Sequence, residues 1–158
     1  VEIALQYTED YTSNIYSFIN NIVTPEGGTH EEGFRNALTR VLNNYGKVNN
    51  IFRKEEGLSG DDVREGLTSI ICCRHPDPQF EGQTKAKLGN TEVRRITSQI
   101  LSEGLEDYLK ENPQVARTII EKALLGSLTK NKNRFQFINS KLSRNSNDSL
   151  GFLGKNHK

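Results

Sequence analysis

The segment of this sequence that best suits phosphate chemistry is the glycine-flanked loop from Pro78 to Asn90. Gln83 and Lys85 lie two positions apart at its centre, which places an amide donor beside a compact, movable cation. Both groups suit the oxygens of a terminal phosphate. The loop is not a Walker A motif, because neither GxxxxGKS nor GxxxxGKT occurs in the chain. By residue type alone, a solvated surface lysine is the simpler interpretation, and the phosphate role is a hypothesis.

The other reactive residue types point away from metal and nucleophile chemistry. His30 precedes two glutamates, but no HExxH pattern follows, and no metal site is predicted. Asp61 and Asp62 are interpreted as helix-capping residues rather than catalytic carboxylates. The adjacent Cys72 and Cys73 would point to opposite faces of a strand, which disfavours a mutual disulfide. They are predicted to be buried free thiols of a reducing compartment.

Four arginines on predicted helices leave two interpretations open. Arg35 and Arg40 lie near the polar side of one helix, while Arg94 and Arg95 fall in the first turn of another. A cation is poorly placed in a first turn, because the positive end of the helix dipole is there, unless an anion lies opposite. The arginines either keep the surface solvated or form a rim that faces a phosphate backbone.

Alternation of apolar and polar residues predicts the strands that support these segments. The pattern indicates one strand over residues 2–8 and another over 14–24, with a short polar connection that favours an antiparallel hairpin. An apolar run over 67–73 is typical of a buried strand. Strands come before helices without regular βαβ alternation, so the predicted fold class is α+β.

Apolar residues at helical spacing predict the helices. One helix is expected over 29–45, and a long one is expected to begin after Asn90 as its cap. Pro113 fits the first position of a further helix. A short helical turn is expected to be capped by Asp61, and the stretch from Lys47 to Gly60 is predicted to be a loop.

The composition conceals an uneven distribution of charge. The 158 residues suit one domain and carry a net charge of +1, but residues 1–116 sum to −6 and residues 117–158 to +7. From Leu128 onward the chain is rich in Lys, Asn and Ser, and no helical pattern is predicted there. No stretch approaches the ~20 apolar residues of a membrane helix. Because methionine is absent and Val1 comes first, we expect a piece of a longer protein.

Three segments resemble the signature motifs of one family, in the right order and at suitable separations. They are Thr24–Arg40, Asp62–Thr68 and Pro78–Asn90, and the resemblance extends over residues 1–126. The chain resembles the B subunits of bacterial type IIA DNA topoisomerases, most nearly those of DNA gyrase. The equivalent subunit of topoisomerase IV is similar enough to stay open as an alternative.

The resemblance implies a fold and a set of site residues. It implies that 1–126 is a transducer domain similar to the ribosomal protein S5 domain 2-like fold. Residues 127–158 depart from the family pattern and are interpreted as a basic polar segment, either a divergent linker or the product of a partial sequence. In the family, the Gln-Thr-Lys motif reaches into a nucleotide site, so Gln83 and Lys85 would contact the γ-phosphate of ATP, with Lys85 catalytic. Arg35 would belong to a basic wall that faces DNA.

The resemblance also implies partners outside this chain. The catalytic glutamate and the Mg²⁺ ligands would lie in an ATP-binding domain that the chain lacks, so the isolated piece would hydrolyse nothing. The expected partners are the gyrase A subunit in an A2B2 heterotetramer, double-stranded DNA, and a second B subunit when ATP binds, in the cytoplasm and without a membrane. The alternative from another class is a nonenzymatic S5-like nucleic-acid-binding module, with the basic C-terminal segment as its anion site.

Overall fold

The structure is a computed structural model that describes residues 1–53 and 57–149. It contains strands and helices in the order β1 (Glu2–Tyr7), β2 (Asn14–Ile19), β3 (Ile22–Val23), α1 (Thr29–Val48), α2 (Gly60–Arg64), β4 (Leu67–Cys73), α3 (Thr91–Glu111) and α4 (Pro113–Ser149). The predicted strands at 2–8 and 67–73 are confirmed to within a residue. The predicted helices that begin at residue 29, after Asn90 and at Pro113 are confirmed as well, but α1 continues to Val48, so the loop predicted from Lys47 begins later.

The four strands form one mixed sheet in the order β1-β4-β2-β3. β1 is antiparallel to β4, and β2 is parallel to β4 through a crossover that includes α1. The predicted hairpin of β1 and β2 is therefore wrong, because β4 lies between them. Alternation identifies a strand but not its partner, and β4 buries every second residue, which suits it to the centre of the sheet.

The predicted strand over 14–24 is divided into β2 and β3 by a tight turn. Asn20 and Asn21 have positive φ angles of 48° and 63°. Asparagine tolerates this left-handed backbone better than most residues, and two such residues in succession suit a two-residue hairpin. β3 pairs antiparallel with β2, with Phe18 opposite Val23.

The main apolar core joins the inner face of β4 to three helices. Its buried residues come from α1, β4, α3, α4 and the segment around α2, and include Phe34, Leu38, Val41, Leu42, Val63, Leu67, Ile71, Leu101, Leu105, Leu109, Ala116 and Ile120. Cys73 is buried on this face, whereas Cys72 is half-buried on the other, and both are free thiols. The alternating orientation predicted for the two cysteines is confirmed, whereas the predicted burial holds for Cys73 and is wrong for Cys72.

Two predicted helix caps differ in the structure. The cap of α2 is Ser59, not Asp61: the Ser59 hydroxyl accepts from the Asp62 N–H, and Asp62 returns a bond to the Ser59 N–H. This reciprocal capping box satisfies two amides that a single Asp61 cap could not. Asn90 does occupy the cap position of α3, but its side chain makes no capping bond there.

The C-terminal part of the chain is helical where no helical pattern was predicted. The chain divides after Leu124 into two compact units, and α4 continues in the second unit to Ser149. Residues 127–149 contain neither Gly nor Pro, so nothing interrupts the backbone hydrogen bonds although no continuous apolar face is present. None of the helices in the described ranges is long and apolar enough to cross a membrane.

Candidate functional site

The loop that carries Gln83 and Lys85 has an exposed tip. Gly82, Gln83 and Lys85 are all exposed, and Gly82 has a φ of +83°, which favours glycine. Within the part of the chain that the structure describes, neither Gln83 nor Lys85 has a hydrogen-bond or ion-pair partner. The two side chains that the sequence singled out are therefore brought to one tip, with their donors free.

The base of the same loop is fixed by backbone hydrogen bonds. The Glu81 N–H donates to the Lys87 carbonyl at 2.9 Å, and the Gly89 N–H donates to the Gln79 carbonyl at 2.8 Å. Phe80 and Leu88 form an isolated antiparallel bridge between these bonds. The exposed tip of the loop is thus supported by a base whose backbone hydrogen bonds resemble those between strands.

The loop base also docks on the segment that precedes α1. The Leu88 N–H donates to the Gly27 carbonyl at 3.0 Å, and the Thr29 N–H donates to the Leu88 carbonyl at 3.1 Å. Gly28 has a φ of +132°, and a Cβ there would overlap the Leu88 backbone. The glycine pair of the 24–40 motif therefore permits a close approach of the loop to the start of α1.

A small apolar cluster lies under this docking point. Leu88 is fully buried and packs with Ile19, Cys73 and Val93, with Phe80 partly buried beside them. These residues come from β2, β4, the loop and α3. The loop base is consequently part of the packed interior.

The two lysines of the loop differ in their electrostatic surroundings. Lys87 Nζ forms an ion pair with Glu81 Oε2 at 2.9 Å, and the hydrogen bond that Lys87 donates to Glu81 raises the pKa of Lys87. Lys85 has no such carboxylate among the described residues. Its ammonium group is available to an external anion, whereas that of Lys87 is already neutralised.

A buried polar network connects β2 to the first turns of α1. The Thr24 hydroxyl donates to the Ser17 carbonyl at 2.9 Å and lies 3.0 Å from His30 Nε2. Because the single Thr24 proton is used in this way, His30 satisfies the contact by donating from Nε2. The Ser17 hydroxyl donates to Glu31 Oε2 at 3.1 Å.

His30 is the buried imidazole of this network. Its side chain is fully buried, and burial lowers its pKa, with the nearby Glu31 acting in the opposite direction. Its Nδ1 has no hydrogen-bond partner in the described part of the chain. Among the described residues, no group of three or more His, Cys, Asp or Glu side chains could hold a metal ion.

Arg35 is held by Glu31, which belongs to this network. Its Nε and Nη2 both donate to Glu31 Oε1, at 3.0 and 2.5 Å, yet 42% of its side chain is exposed. Arg94 pairs with Glu32 at 2.6 Å, so the anion opposite the first turn of α3 is a side chain of α1. The Arg40 guanidinium donates to Ser102 Oγ at 2.6 Å.

Sequence reasoning missed several residues that support the site. Ser17 carries no distinguishing signal, and Thr24 is recognisable only as the first residue of the 24–40 motif, because the residues that they bind lie on other elements. The missing HExxH pattern bears only on metal ligation by His30, whereas its position in the first turn of a helix within a glycine-rich motif is a signal for a structural role. Asn90 is recognisable as a cap residue, but its bonds to the loop could not be predicted from spacing.

Comparison with known proteins decides the family. The family model of DNA gyrase B matches residues 1–136. The chain belongs to the DNA gyrase B family. The gyrase B protein of Bacillus mycoides is 60% identical over 128 residues, which make up 80% of this chain and 32% of that relative. The chain thus spans about a third of the length of this gyrase B relative.

Solved structures of gyrase B and a related enzyme share the fold. The 43K ATPase domain of Thermus thermophilus gyrase B, in complex with an aminocoumarin, has a TM-score of 0.78 and 36% identity, covering 85% of this chain and 36% of that one. The topoisomerase IV ATP-binding domain of Francisella tularensis has a TM-score of 0.73 and 28% identity, covering 81% and 35%. The mixed α/β architecture with a four-stranded sheet is that of gyrase B family structures.

Proposed function

We propose that this chain is the transducer part of a gyrase-type B subunit. In this role it couples ATP binding and hydrolysis in a neighbouring domain to DNA strand passage and negative supercoiling in the cytoplasm. The observation that carries the proposal is the free pair of donors on Gln83 and Lys85, presented by a loop whose base is packed. Family membership and the similarity to the 43K ATPase domain of Thermus thermophilus gyrase B support the same function.

The free donors define what the loop does when a terminal phosphate arrives. Lys85 places a positive charge and Gln83 an amide N–H against the phosphate oxygens, and Lys85 offsets the charge that develops during hydrolysis. Loss of that phosphate removes the partner of both side chains. The loop therefore has one arrangement with ATP and another without it, which makes it a switch element.

The second proposed partner, DNA, concerns Arg35, which Glu31 of the buried polar network holds. We infer that Arg35, exposed on α1 and oriented by Glu31, contributes to a basic wall around double-stranded DNA. The larger assembly is then an A2B2 heterotetramer with the gyrase A subunit, in which two B subunits associate on ATP binding. The isolated chain is expected to have no ATPase activity, because the catalytic glutamate lies in the neighbouring domain.

The proposed Mg²⁺ ion would be bound outside this chain. Within the described ranges no cluster of carboxylates has the composition of a cation site. The residues present suit the phosphate end of ATP rather than the metal. Mg²⁺ would neutralise phosphate charge from the ATP-binding domain, while Lys85 and Gln83 act on the terminal oxygens.

The test replaces Lys85 in the intact subunit that contains this chain. Lys85→Gln is expected to lower the ATP turnover number by about 100-fold or more, since a preorganised charge is lost from the transition state. ATP binding is expected to be spared much more, because most nucleotide contacts belong to the neighbouring domain. Steady-state ATPase assays and equilibrium nucleotide binding measure the two effects separately.

Lys87→Gln is the matched control for this experiment. It removes the same charge two positions away, but from a lysine that is already paired with Glu81. Turnover is expected to change by no more than about twofold, as for a surface ion pair. Equal losses in both variants, or full turnover in Lys85→Gln, would contradict the proposed role.

The gyrase assignment is tested against topoisomerase IV by the reaction of the reconstituted enzyme. The intact subunit with a gyrase A subunit is expected to introduce negative supercoils into relaxed plasmid in the presence of ATP. Decatenation without supercoiling would identify the topoisomerase IV alternative.

A further inference from the structure

Asn90 joins the two stems of the loop that carries Lys85. The residue is 6% exposed, and its Oδ1 accepts from the Gln79 N–H at 2.7 Å. Its Nδ2 donates to the Asp77 carbonyl at 3.2 Å. The loop has an incoming stem that contains Asp77 and Gln79 and an outgoing stem that ends at Asn90. The buried side-chain amide of Asn90 therefore joins the two stems and closes the loop.

The same amide is connected to the first turn of α3. Asn90 Nδ2 also donates to Glu92 Oε1 at 3.1 Å, and His75 Nε2 lies 2.9 Å from the same oxygen. His75 Nδ1 accepts from the Asp77 N–H at 3.0 Å, so the proton is on Nε2 and donates to Glu92. Both stems are therefore bonded to each other and to the start of α3.

This arrangement explains why Asn90 does not cap its own helix. An asparagine at the cap position usually accepts from the second or third N–H of the helix. Here the side-chain oxygen is used by the Gln79 N–H instead. The Asn90 side-chain oxygen, which would otherwise accept from an N–H in the first turn of α3, therefore binds the loop.

We propose that Asn90 is a positioning residue for the nucleotide-sensing loop. It holds the two stems together before the terminal phosphate binds, so that only the tip changes its arrangement on binding, and its bond to Glu92 links the stems to the start of α3. Preordering increases affinity, because a loop that becomes ordered only on binding uses part of the binding free energy for that ordering. The inference rests on the proposed contact of Lys85 with ATP, but it concerns a residue that does not touch the nucleotide.

The first experiment measures the loop directly in this chain. Asn90→Ala is expected to speed hydrogen exchange of the Gln79 amide by roughly tenfold, because its acceptor is removed. The Leu88 amide, which donates to the Gly27 carbonyl, is expected to stay protected. Unchanged exchange at Gln79 would overturn the proposal, and loss of protection at both amides would show a packing role instead.

The second experiment measures the functional consequence in the intact subunit. The ratio of affinities for a non-hydrolysable ATP analogue and for ADP reports the terminal-phosphate contact. Asn90→Ala is expected to reduce this ratio by roughly fivefold without changing ADP affinity, the effect of about one lost hydrogen bond. Asn90→Asp keeps the acceptor for the Gln79 N–H but replaces the donor beside Glu92 with a second carboxylate. This variant is expected to reduce the ratio of affinities at least as much.

Asn112→Ala is the matched control, because Asn112 lies at the other end of α3 and its side chain donates to the Tyr108 carbonyl. It is expected to leave the affinity ratio unchanged. In a Lys85→Gln background, Asn90→Ala is expected to have no further effect on the ratio. If Lys85→Gln reduces the ratio of affinities and Asn90→Ala leaves it normal, this inference alone is overturned. If Lys85→Gln has both a normal ratio and normal ATP turnover, the proposed function is overturned as well.

Discussion

At the scale of single residues, the neutral form of His30 is required by its surroundings. The imidazole is fully buried, donates to the Thr24 hydroxyl, and has an unpartnered Nδ1 within the described structure. A second proton on this ring would be buried with no acceptor for its Nδ1–H. Burial accordingly lowers the pKa, although the nearby Glu31 carboxylate partly opposes the shift.

This predicts that the chain loses stability on mild acidification. Since the unfolded chain binds a proton at the ordinary His pKa of about 6.5 and the folded chain binds it only at lower pH, the free energy of unfolding falls as pH decreases below about 6.5. The slope from one such group is at most about 1.4 kcal/mol per pH unit. Urea unfolding at pH 7.5, 6.5 and 5.5 measures it.

His30→Gln separates this group from the other titrating residues. The variant is expected to be less stable at pH 7.5 by about 1–2 kcal/mol, because a buried hydrogen bond and ring packing are lost. It is also expected to show a smaller decrease between pH 7.5 and 5.5 than the original chain. An identical decrease in both proteins would exclude His30 as the source.

At the scale of elements, the loop depends on Gly28 to reach the start of α1. Gly28→Ala requires an alanine at a φ of +132° with its Cβ against the Leu88 backbone. We expect a loss of at least about 2 kcal/mol in the free energy of unfolding, since the backbone atoms at Leu88 cannot move aside cheaply. Chemical denaturation of this chain measures the change.

Gly104→Ala is the control, because it introduces the same methyl group in the interior of α3, where a Cβ would meet nothing within 4 Å. Alanine is favoured over glycine in a helix, so this variant is expected to be more stable by about 0.5–1 kcal/mol. Destabilisation of both variants to the same extent would argue against a special role of the Gly28 contact.

The elements also show what the sequence could and could not predict. The helices that begin at Thr29, Thr91 and Pro113 follow from apolar spacing, because that signal is local. The position of β4 between β1 and β2 does not, since pairing depends on residues far apart in the chain. Likewise, the residue pattern placed Lys85 on a loop, but only the three-dimensional arrangement shows that Lys87 is paired with Glu81 and Lys85 has no such partner among the described residues.

At the scale of the whole molecule, the chain divides into a packed unit and a basic one. The apolar core includes residues up to Ala123, and the unit boundary follows Leu124. Residues 128–158 contain seven basic residues and one acidic residue. The proposed function places a DNA contact on α1, whereas the alternative of a nonenzymatic module places it in this basic segment.

Removal of residues 128–158 distinguishes the proposed function from the alternative of a nonenzymatic module. Residues 1–127 are expected to unfold in one cooperative transition with a midpoint within a few degrees of the longer chain, because the core is retained. Duplex DNA affinity is expected to fall by roughly tenfold and to depend less steeply on salt, as fewer counterions are released. Fluorescence anisotropy at several salt concentrations measures it, and complete loss of binding would favour the alternative.

The pairing of β1 with β4 has a consequence for synthesis of the protein on the ribosome. The Ser69 hydroxyl donates to the Ala4 carbonyl across a separation of 65 residues, and the other β1 bonds to β4 span similar distances. At a translation rate of about 5–20 residues per second, β1 waits several seconds for that partner to emerge. During this interval the nascent chain exposes apolar strand residues, so a chaperone that shields them is expected to raise the yield of native protein.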